Sequence, residues 1–319
     1  MARLRGQPAL NPIKRPYILQ FDDPEAGQVE LVGGKAASLA RLTRAGLPVP
    51  PGFCLTTAAC DEHLRANGLT EPVIPPATLR IRITAAPMPP GLAGAIRDAC
   101  RRLGRGAWAI RSSAVAEDQA GASFAGQHET LLNVLGEDAV LAAIQRCWAS
   151  LWTERAIAYR EHKGLAPASL RMAVVVQRLV PAEAAGVMFT ADPLTGDQDR
   201  IVIEASFGLG EALVAGRVTP DRYVVDKETL NIRDRFVGEK EVLIRPAPAG
   251  GTLEEAVHPA RRAAPALPDY LIAGLAALGR RVETLYDRPQ DIEWALYQGQ
   301  LYLLQSRPVT SLPLPSRPA

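Results

Sequence analysis

Two lobes of mixed helix and strand are what this sequence predicts, a fold of the α/β or α+β class. Three observations lead there. Helical and strand-like hydrophobic patterns alternate along the chain. At 319 residues it exceeds the length of one typical domain. Its composition, 47% apolar and 22% charged, is that of a chain able to bury a core. The formal net charge of +2 gives no electrostatic case for nucleic acid or an anionic membrane. No window reaches the roughly 18 uncharged apolar residues of a membrane span, and the opening MARLRGQPALNP lacks the apolar centre of a secretory signal. Cys54, Cys60, Cys100 and Cys147 form no CxxC pair and sit in apolar surroundings, so buried free thiols are expected. Together these features point to a soluble cytoplasmic protein.

The elements follow in order. After a polar start, Gly33-Gly34-Lys35 opens a helix, AASLARLTRAG, with Leu39 and Leu42 on one face and Gly46 as its left-handed cap. Pro48, Pro50 and Pro51 stop it, and PGFCLTT reads as a buried strand. Residues 70–90 are rich in proline and poor in periodic signal, which predicts a surface connection. A helix over 91–103 leads into the apolar strand WAIRSS. From 138 to about 163 the spacing of Ile144, Cys147, Trp148 and Leu151 predicts one long helix, with Trp148 and Trp152 in the core. MAVVVQRLV is a continuous apolar run of the kind covered on both faces of a sheet. GVMFTADPLTG comes next, then RIVIEASFGLG leading into EALVAG, then two strand-like runs, DRYVVDK and VGEKEVLI. A last helix over 268–286 repeats Leu271, Leu275, Leu278, Val282 and Leu285, ahead of QDIEWAL, a short turn and QLYLLQSRP. The Pro- and Ser-rich tail TSLPLPSRPA reads as a linker.

Two familiar phosphate motifs fail. VGGKAAS has Ala36 where a P-loop needs Ser or Thr after the lysine, and FGLGEAL has Leu213 in place of the third glycine of GxGxxG. Tight turns before helices account for both. Even so, three separate Gly-rich segments each precede a helix or carry a cation, a combination that suits a polyphosphate.

The C-terminal hairpin is more specific. Asp291 and Glu293 are two apart and share a strand face, as do Gln305 and Arg307. A three-residue loop centred on Gly299 sets Glu293 opposite Gln305 and Asp291 opposite Arg307, and on the other face Trp294 opposite Leu304 and Ile292 opposite Ser306. A two-residue turn would put Glu293 and Gln305 on opposite faces. Hard oxygen donors beside an arginine fit a magnesium polyphosphate. A structural Asp–Arg pair on a half-exposed hairpin fits the same residues.

Five segments resemble the ATP-grasp nucleotide-binding domain shared by phosphoenolpyruvate synthase, pyruvate phosphate dikinase and rifampicin phosphotransferase. They are GGKAASLARLTRAGLPVPPGF, AIRSSAVAEDQAGASFAGQHETLLNV, SLWTERAIAYREHKG, GVMFTADPLTG with SFGLGEALVAG, and RPQDIEWAL with LLQSRPVT. They run from Gly33 to Thr310 in the family's order, and FTADPLTG, RPQDIEW and QSRP lean toward rifampicin phosphotransferase. The resemblance implies an N-terminal lobe over 1–180, a C-terminal lobe over 181–310, a nucleotide cleft between them and a tail over 311–319. It implies ATP and Mg2+ as ligands. Lys35 and Arg111 match cations that hold the phosphates, Gly126 a backbone position over them, and Thr130 a hydroxyl contact. Gln177 matches a residue near the adenine at the lobe junction. Glu293 and Gln305 match the metal ligands, and Arg307 a further phosphate contact. Lys35, Arg111 and Arg307 would be the catalytic cations.

The family's chemistry passes the β,γ-pyrophosphoryl group of ATP to a histidine on a separate swivelling domain, giving AMP, then phosphate and a phosphorylated acceptor. None of the four histidines here stands in a Gly-rich Thr-Ser-His context. His63 and His162 read as exposed helix residues, and His258 lies in a Pro- and Ala-rich connection. His128 stands where the family usually has glutamine, so it reads as a polar substitution beside the phosphate loop, with a phosphoryl acceptor as the alternative. The resemblance therefore implies a partner histidine domain, in a longer protein or on another chain. A pyruvate acceptor and a non-catalytic nucleotide-binding module stay open as alternatives. The segment from Ser112 to Gln127 is expected to be mobile without nucleotide, since its small residues give it little packing.

Overall fold

The computed structural model of the chain describes residues 16–70, 74–115, 129–162, 171–310 and 312–313. The apolar run after residue 171 becomes the central strand of a sheet, because a strand with no polar face has to be covered on both sides. That sheet comprises β1 (Ile18–Gln20), β2 (Gly52–Leu55), β3 (Ala107–Ala114), β4 (Thr130–Leu135) and β5 (Met172–Arg178), in the order β1-β2-β5-β3-β4 with every pairing antiparallel. Met172, Val174 and Val176 of β5 enter one core, and Ala173 and Val175 enter another on the opposite face.

Helix α1 (Val29–Arg44) covers the second of those faces. It is interrupted at Gly33, whose φ of 73° lies in the left-handed region, so the helix restarts at Gly34. It ends in a left-handed Gly46, with Leu47 N donating to Leu42 O at 3.1 Å, a Schellman-type closure. Helices α2 (Thr57–Ala66), α3 (Pro76–Ala85), α4 (Pro90–Arg102) and α5 (Glu137–Ala149) bring residues to the first face.

Several elements depart from expectation. The proline-rich 70–90 segment contains α3, where Pro76 opens the helix because its missing N–H would be unpaired there anyway. Only Leu79 and Ile83 of α3 are buried, too few to show as a period. The expected long helix breaks after α5 into a 3-10 turn, Ser150–Trp152, and α6 (Glu154–His162). Thr153 is extended at ψ 148°, and its Oγ1 accepts from Ala156 N at 3.2 Å, as an N-cap residue does.

The second sheet has β6 (Ala184–Phe189), β7 (Arg200–Phe207), a short α7 (Glu211–Val214), β8 (Asp221–Asp226) and β9 (Ile232–Phe236). A separate two-stranded hairpin follows, β10 (Val242–Pro246) with β11 (Thr252–Ala256), so only the last part of VGEKEVLI is strand. Then come α8 (Pro259–Arg262), α9 (Asp269–Tyr286), β12 (Gln290–Tyr297) and β13 (Gln300–Pro308). The sheet order is β13-β12-β6-β7-β8-β9, again all antiparallel. Leu271, Ile272, Leu275 and Val282 of α9 pack on one face, against Met188, Ile203, Tyr223, Ile292 and Trp294. Strands β9 and β11 are mostly exposed and carry little apolar period, which hid them from the sequence pattern.

Polar anchors join the two sheets. Ser38 Oγ donates to Ser306 O at 2.7 Å, Arg41 Nη2 to Leu285 O at 2.6 Å, and Leu303 N to Pro48 O at 2.8 Å. Lys240 and Asp221 form a fully buried ion pair ahead of β10, where Asp221 also accepts from Gly238 N at 3.1 Å and Ala266 N at 2.6 Å. All four cysteines are buried and free, and burial pushes the Cys100 thiol up to about 11. Among the described residues no helix is long and apolar enough to cross a membrane.

His63 is not the exposed helix residue the sequence suggested: it is 0% accessible. Its Nε2 donates to Ile83 O at 3.1 Å, its ring lies 5.2 Å from that of Trp148, and Nδ1 has no partner. Burial holds its pKa below the usual histidine value, so the unfolded chain takes up the proton first as pH falls. This contribution to stability is whole above about pH 6.5 and is lost as pH drops through the folded-state value. Thermal melts should therefore show wild type losing stability from pH 7.5 to 5.0, at up to about 1.4 kcal/mol per pH unit from this group. A His63→Gln variant, which keeps a donor for Ile83 O, should lack that component. Parallel pH profiles for the two would refute it.

Candidate functional site

A cavity of about 570 Å3 opens between the two sheets, within the usual range for a small-molecule site. Seven residues singled out from the sequence line it: Lys35, Arg111, Thr130, Gln177, Glu293, Gln305 and Arg307. Gly126, like His128 and most of the expected 112–127 flap, lies outside the described residues.

Lys35 sits in the first turn after the Gly33 break. A Cβ on Gly33 would lie 2.2 Å from Ser113 O, so no side chain fits there. Ser113 Oγ donates to Val32 O at 2.7 Å and accepts from Ala36 N at 3.2 Å, capping the restarted helix from a distant strand. Its partly positive N-terminal end thus sits beside the Lys35 cation. Arg111 is two residues from Ser113 on β3, hence on the same face, with Thr130 as its register partner on β4.

Arg111 is only 9% accessible, and it crosses to the other sheet. Its Nη1 lies 3.2 Å from Glu293 Oε2 and 3.4 Å from Leu304 O, while its Nε is buried without a partner. The expected phosphate cation and the expected metal ligand are therefore in direct contact with each other.

Glu293 and Gln305 are register partners, as are Asp291 and Arg307, so all four side chains share one sheet face. The turn that achieves this is not the three-residue loop expected. Tyr297 pairs with Gln300 around a two-residue turn, Gln298 and Gly299, with φ of 49° and 73°. This type I′ geometry matches the twist of the strands. Alone it would put Glu293 and Gln305 on opposite faces. A bulge at Leu304 restores the pairing, so Trp294 meets Leu303, not Leu304. The extra residue also offers the carbonyl that Arg111 reaches. Arg307 Nε donates to Asp291 Oδ2 at 2.8 Å. Burial raises the pKa of Asp291 against the opposing pull of Arg307, and burial likewise raises Glu204, two strands away on the same face.

Gln177 is 1% accessible at the end of β5, just before the chain crosses to β6. Its Nε2 donates to Pro50 O at 3.1 Å. Past it the cavity turns apolar, with Leu179, Val180, Ala182, Leu209 and Leu132 along the wall. Sequence reasoning assigned no role to these, nor to Glu211 and Arg217, which also line the cavity. Glu211 Oε2 is buried without a partner. The signal was present in the SFGLGEALVAG segment, but a glycine-rich turn does not say which side chain faces the cleft. Neither His63 nor His258 lines the cavity.

A cleft with cations, a carboxylate and an amide at one end and an apolar wall at the other defines a binding domain for an elongated anionic ligand with an apolar head. Residues 29–316 match the family model described as pyruvate phosphate dikinase, AMP/ATP-binding domain, and the chain belongs to that family. It is 44% identical to a probable phosphoenolpyruvate synthase of Methanothermobacter thermautotrophicus, over 93% of this chain and 46% of that protein. It is 42% identical to a rifampicin phosphotransferase of Streptomyces sviceus, over 96% of this chain and 37% of that protein. The chain thus spans less than half the length of these relatives. A solved structure of D-alanine–D-alanine ligase from Bacillus anthracis aligns with 86% of this chain and 55% of that chain, at 10% identity and a TM-score of 0.35. That likeness is too slight to carry an argument. The two lobes with a cleft between them agree with the ATP-grasp arrangement the sequence resemblance implied.

The hairpin geometry gives its own expectation. A non-glycine residue at positive φ is strained, least so for asparagine. Gln298→Asn should raise stability by up to about 1 kcal/mol in denaturant unfolding, with ligand binding unchanged. A loss of stability would contradict the turn assignment.

Proposed function

We propose that the chain is the Mg-ATP-binding domain of a dikinase-type phosphotransferase. The observation that carries this reading is the convergence of Lys35, Arg111, Thr130, Gln177, Glu293, Gln305 and Arg307 on one cavity, charged at one end and apolar at the other.

The adenine lies against the apolar wall beyond Gln177, and the phosphates extend toward Lys35, Arg111 and Arg307. Thr130 adds a hydroxyl. Glu293 and Gln305, side by side in register, supply hard oxygen donors that suit Mg2+. Among the described residues no three His, Cys, Asp or Glu side chains cluster as a metal cage. When bound, the ion neutralises phosphate charge and orients the chain for in-line attack.

The chain's own residues then act by positioning and charge neutralisation. A neutral imidazole nitrogen of a separate histidine domain attacks Pβ. The bond between Pβ and the oxygen bridging it to Pα breaks, and AMP leaves with that oxygen. Water later releases the outer phosphate, leaving a phosphohistidine for the acceptor. Arg111 and Arg307 stabilise the charge that develops on the phosphoryl oxygens, and Lys35 holds the chain in line.

Calorimetric titration with ATP in the presence of magnesium should give saturable binding. Glu293→Ala and Arg307→Ala should each weaken it at least about tenfold, the loss of a charge-assisted contact. With β-labelled ATP and a cognate histidine domain, label should be retained on the histidine. Absence of binding by the folded wild type, or undiminished binding by both variants, would sink the proposal.

A further inference from the structure

The β10–β11 hairpin belongs to neither large sheet, yet it is tied to both walls of the cavity. At its stem, Leu209 N donates to Ile244 O at 2.9 Å, and Gly208 forms a bridge with Ile244. A Cβ on Gly208 would lie 2.3 Å from Ile244 O, so the contact needs glycine. Its base follows directly on the buried Lys240–Asp221 pair. At its tip, Asn133 of β4 uses both amide hydrogens, Nδ2 donating to Ala247 O and Gly251 O at 2.7 Å each. Gly251 N donates in return to Asn133 O at 3.0 Å.

Asn133 is built for this contact. Its φ is 55°, a left-handed value that asparagine tolerates better than most residues, and it sits at a register shift between β3 and β4. It is 3% accessible, so these bonds are shielded from water. Three hydrogen bonds thus fasten β4, which contributes Thr130 and Leu132 to the cavity, to a hairpin whose stem holds Leu209 of the opposite wall.

Resting on the nucleotide reading above, we infer that Asn133 is a positioning residue for the nucleotide, clamping the β10–β11 hairpin as a strap that fixes the apolar end of the cavity. The clamp sets the gap between Leu132 on β4 and Leu209 by the hairpin stem, which faces the base. Opening that side of the cleft requires all three bonds to break. Ligand binding and strap closure are therefore coupled, each stabilising the other.

Two substitutions test this. Asn133→Gly keeps the left-handed backbone and deletes the amide. Asn133→Asp keeps the shape but turns a donor into an acceptor facing two carbonyls. Titration with ATP and magnesium should show affinity about tenfold weaker for Asn133→Gly and weaker still for Asn133→Asp. Amide hydrogen exchange in wild type should slow at 130–135 and 247–251 on adding ATP, and in Asn133→Gly that slowing should be lost. Folded variants that bind ATP like wild type would overturn the clamp while leaving the nucleotide site intact. Failure of wild type to bind ATP would overturn the nucleotide reading, and this inference with it. If Asn133→Gly does not fold, the wild-type exchange experiment decides, and unchanged exchange at Gly251 N on adding ATP overturns the clamp.

Discussion

The cleft depends on one buried guanidinium. Arg111 leaves the first sheet, passes through an environment that hides all but 9% of it, and ends on Glu293 of the second sheet. A buried cation is tolerable only with a partner, so the position of Glu293 is as constrained as that of Arg111. The hairpin meets this demand with a local irregularity. The bulge at Leu304 keeps Glu293 and Gln305 on one face and offers a carbonyl to the same guanidinium. On the other side, Ser113, two residues from Arg111, fixes the start of the α1 segment that carries Lys35. One strand face thereby brings Arg111 onto Glu293 and helps set Lys35 on the wall of the same cavity.

Much of this was legible in the sequence, for identifiable reasons. The β5 run is apolar from Met172 through Val176, so its central place followed from that stretch of sequence. That Asp291 shares a face with Glu293, and Gln305 with Arg307, followed from the two-residue period of a strand, whereas their cross-strand pairing was reached through a three-residue loop that the structure does not have. What the period cannot contain is a correction to itself. The type I′ turn and the Leu304 bulge cancel in register, so an odd-length loop and an even-length loop with a bulge give the same pairs beyond residue 304. The identity of Gln298-Gly299 favours the shorter turn weakly, since Gln seldom takes positive φ.

Other features were hidden for different reasons. His63 lies in DEHLRA, a charged context that reads as solvated, but its side chain points back under α3 toward Ile83 O and Trp148. Burial there is a property of tertiary packing and leaves no trace in the local pattern. The apolar wall of the cavity was partly in view as QRLV. Its other half comes from Leu132 and Leu209, residues 77 apart in sequence, which pack in one apolar cluster with Ile244 of the β10–β11 hairpin. Asn133 appeared as one polar residue in an apolar strand, and only the coordinates show both its amide hydrogens in use.

The contact between Arg111 and Glu293 also shapes the thermodynamics of the proposed site. Each group neutralises the other in the absence of ligand, so neither can be withdrawn alone without cost. A polyphosphate without metal draws Arg111 toward its own charge and leaves the Glu293 carboxylate beside further negative charge. In the proposed site, a metal without nucleotide would compete with Arg111 for Glu293. With both bound, Arg111 would face phosphate oxygens and Glu293 the metal, so every charge would keep an opposite partner. The salt bridge would then couple the two ligands at the seam between the sheets. The apolar end carries no such charge exchange, and its geometry rests on the hairpin strap instead.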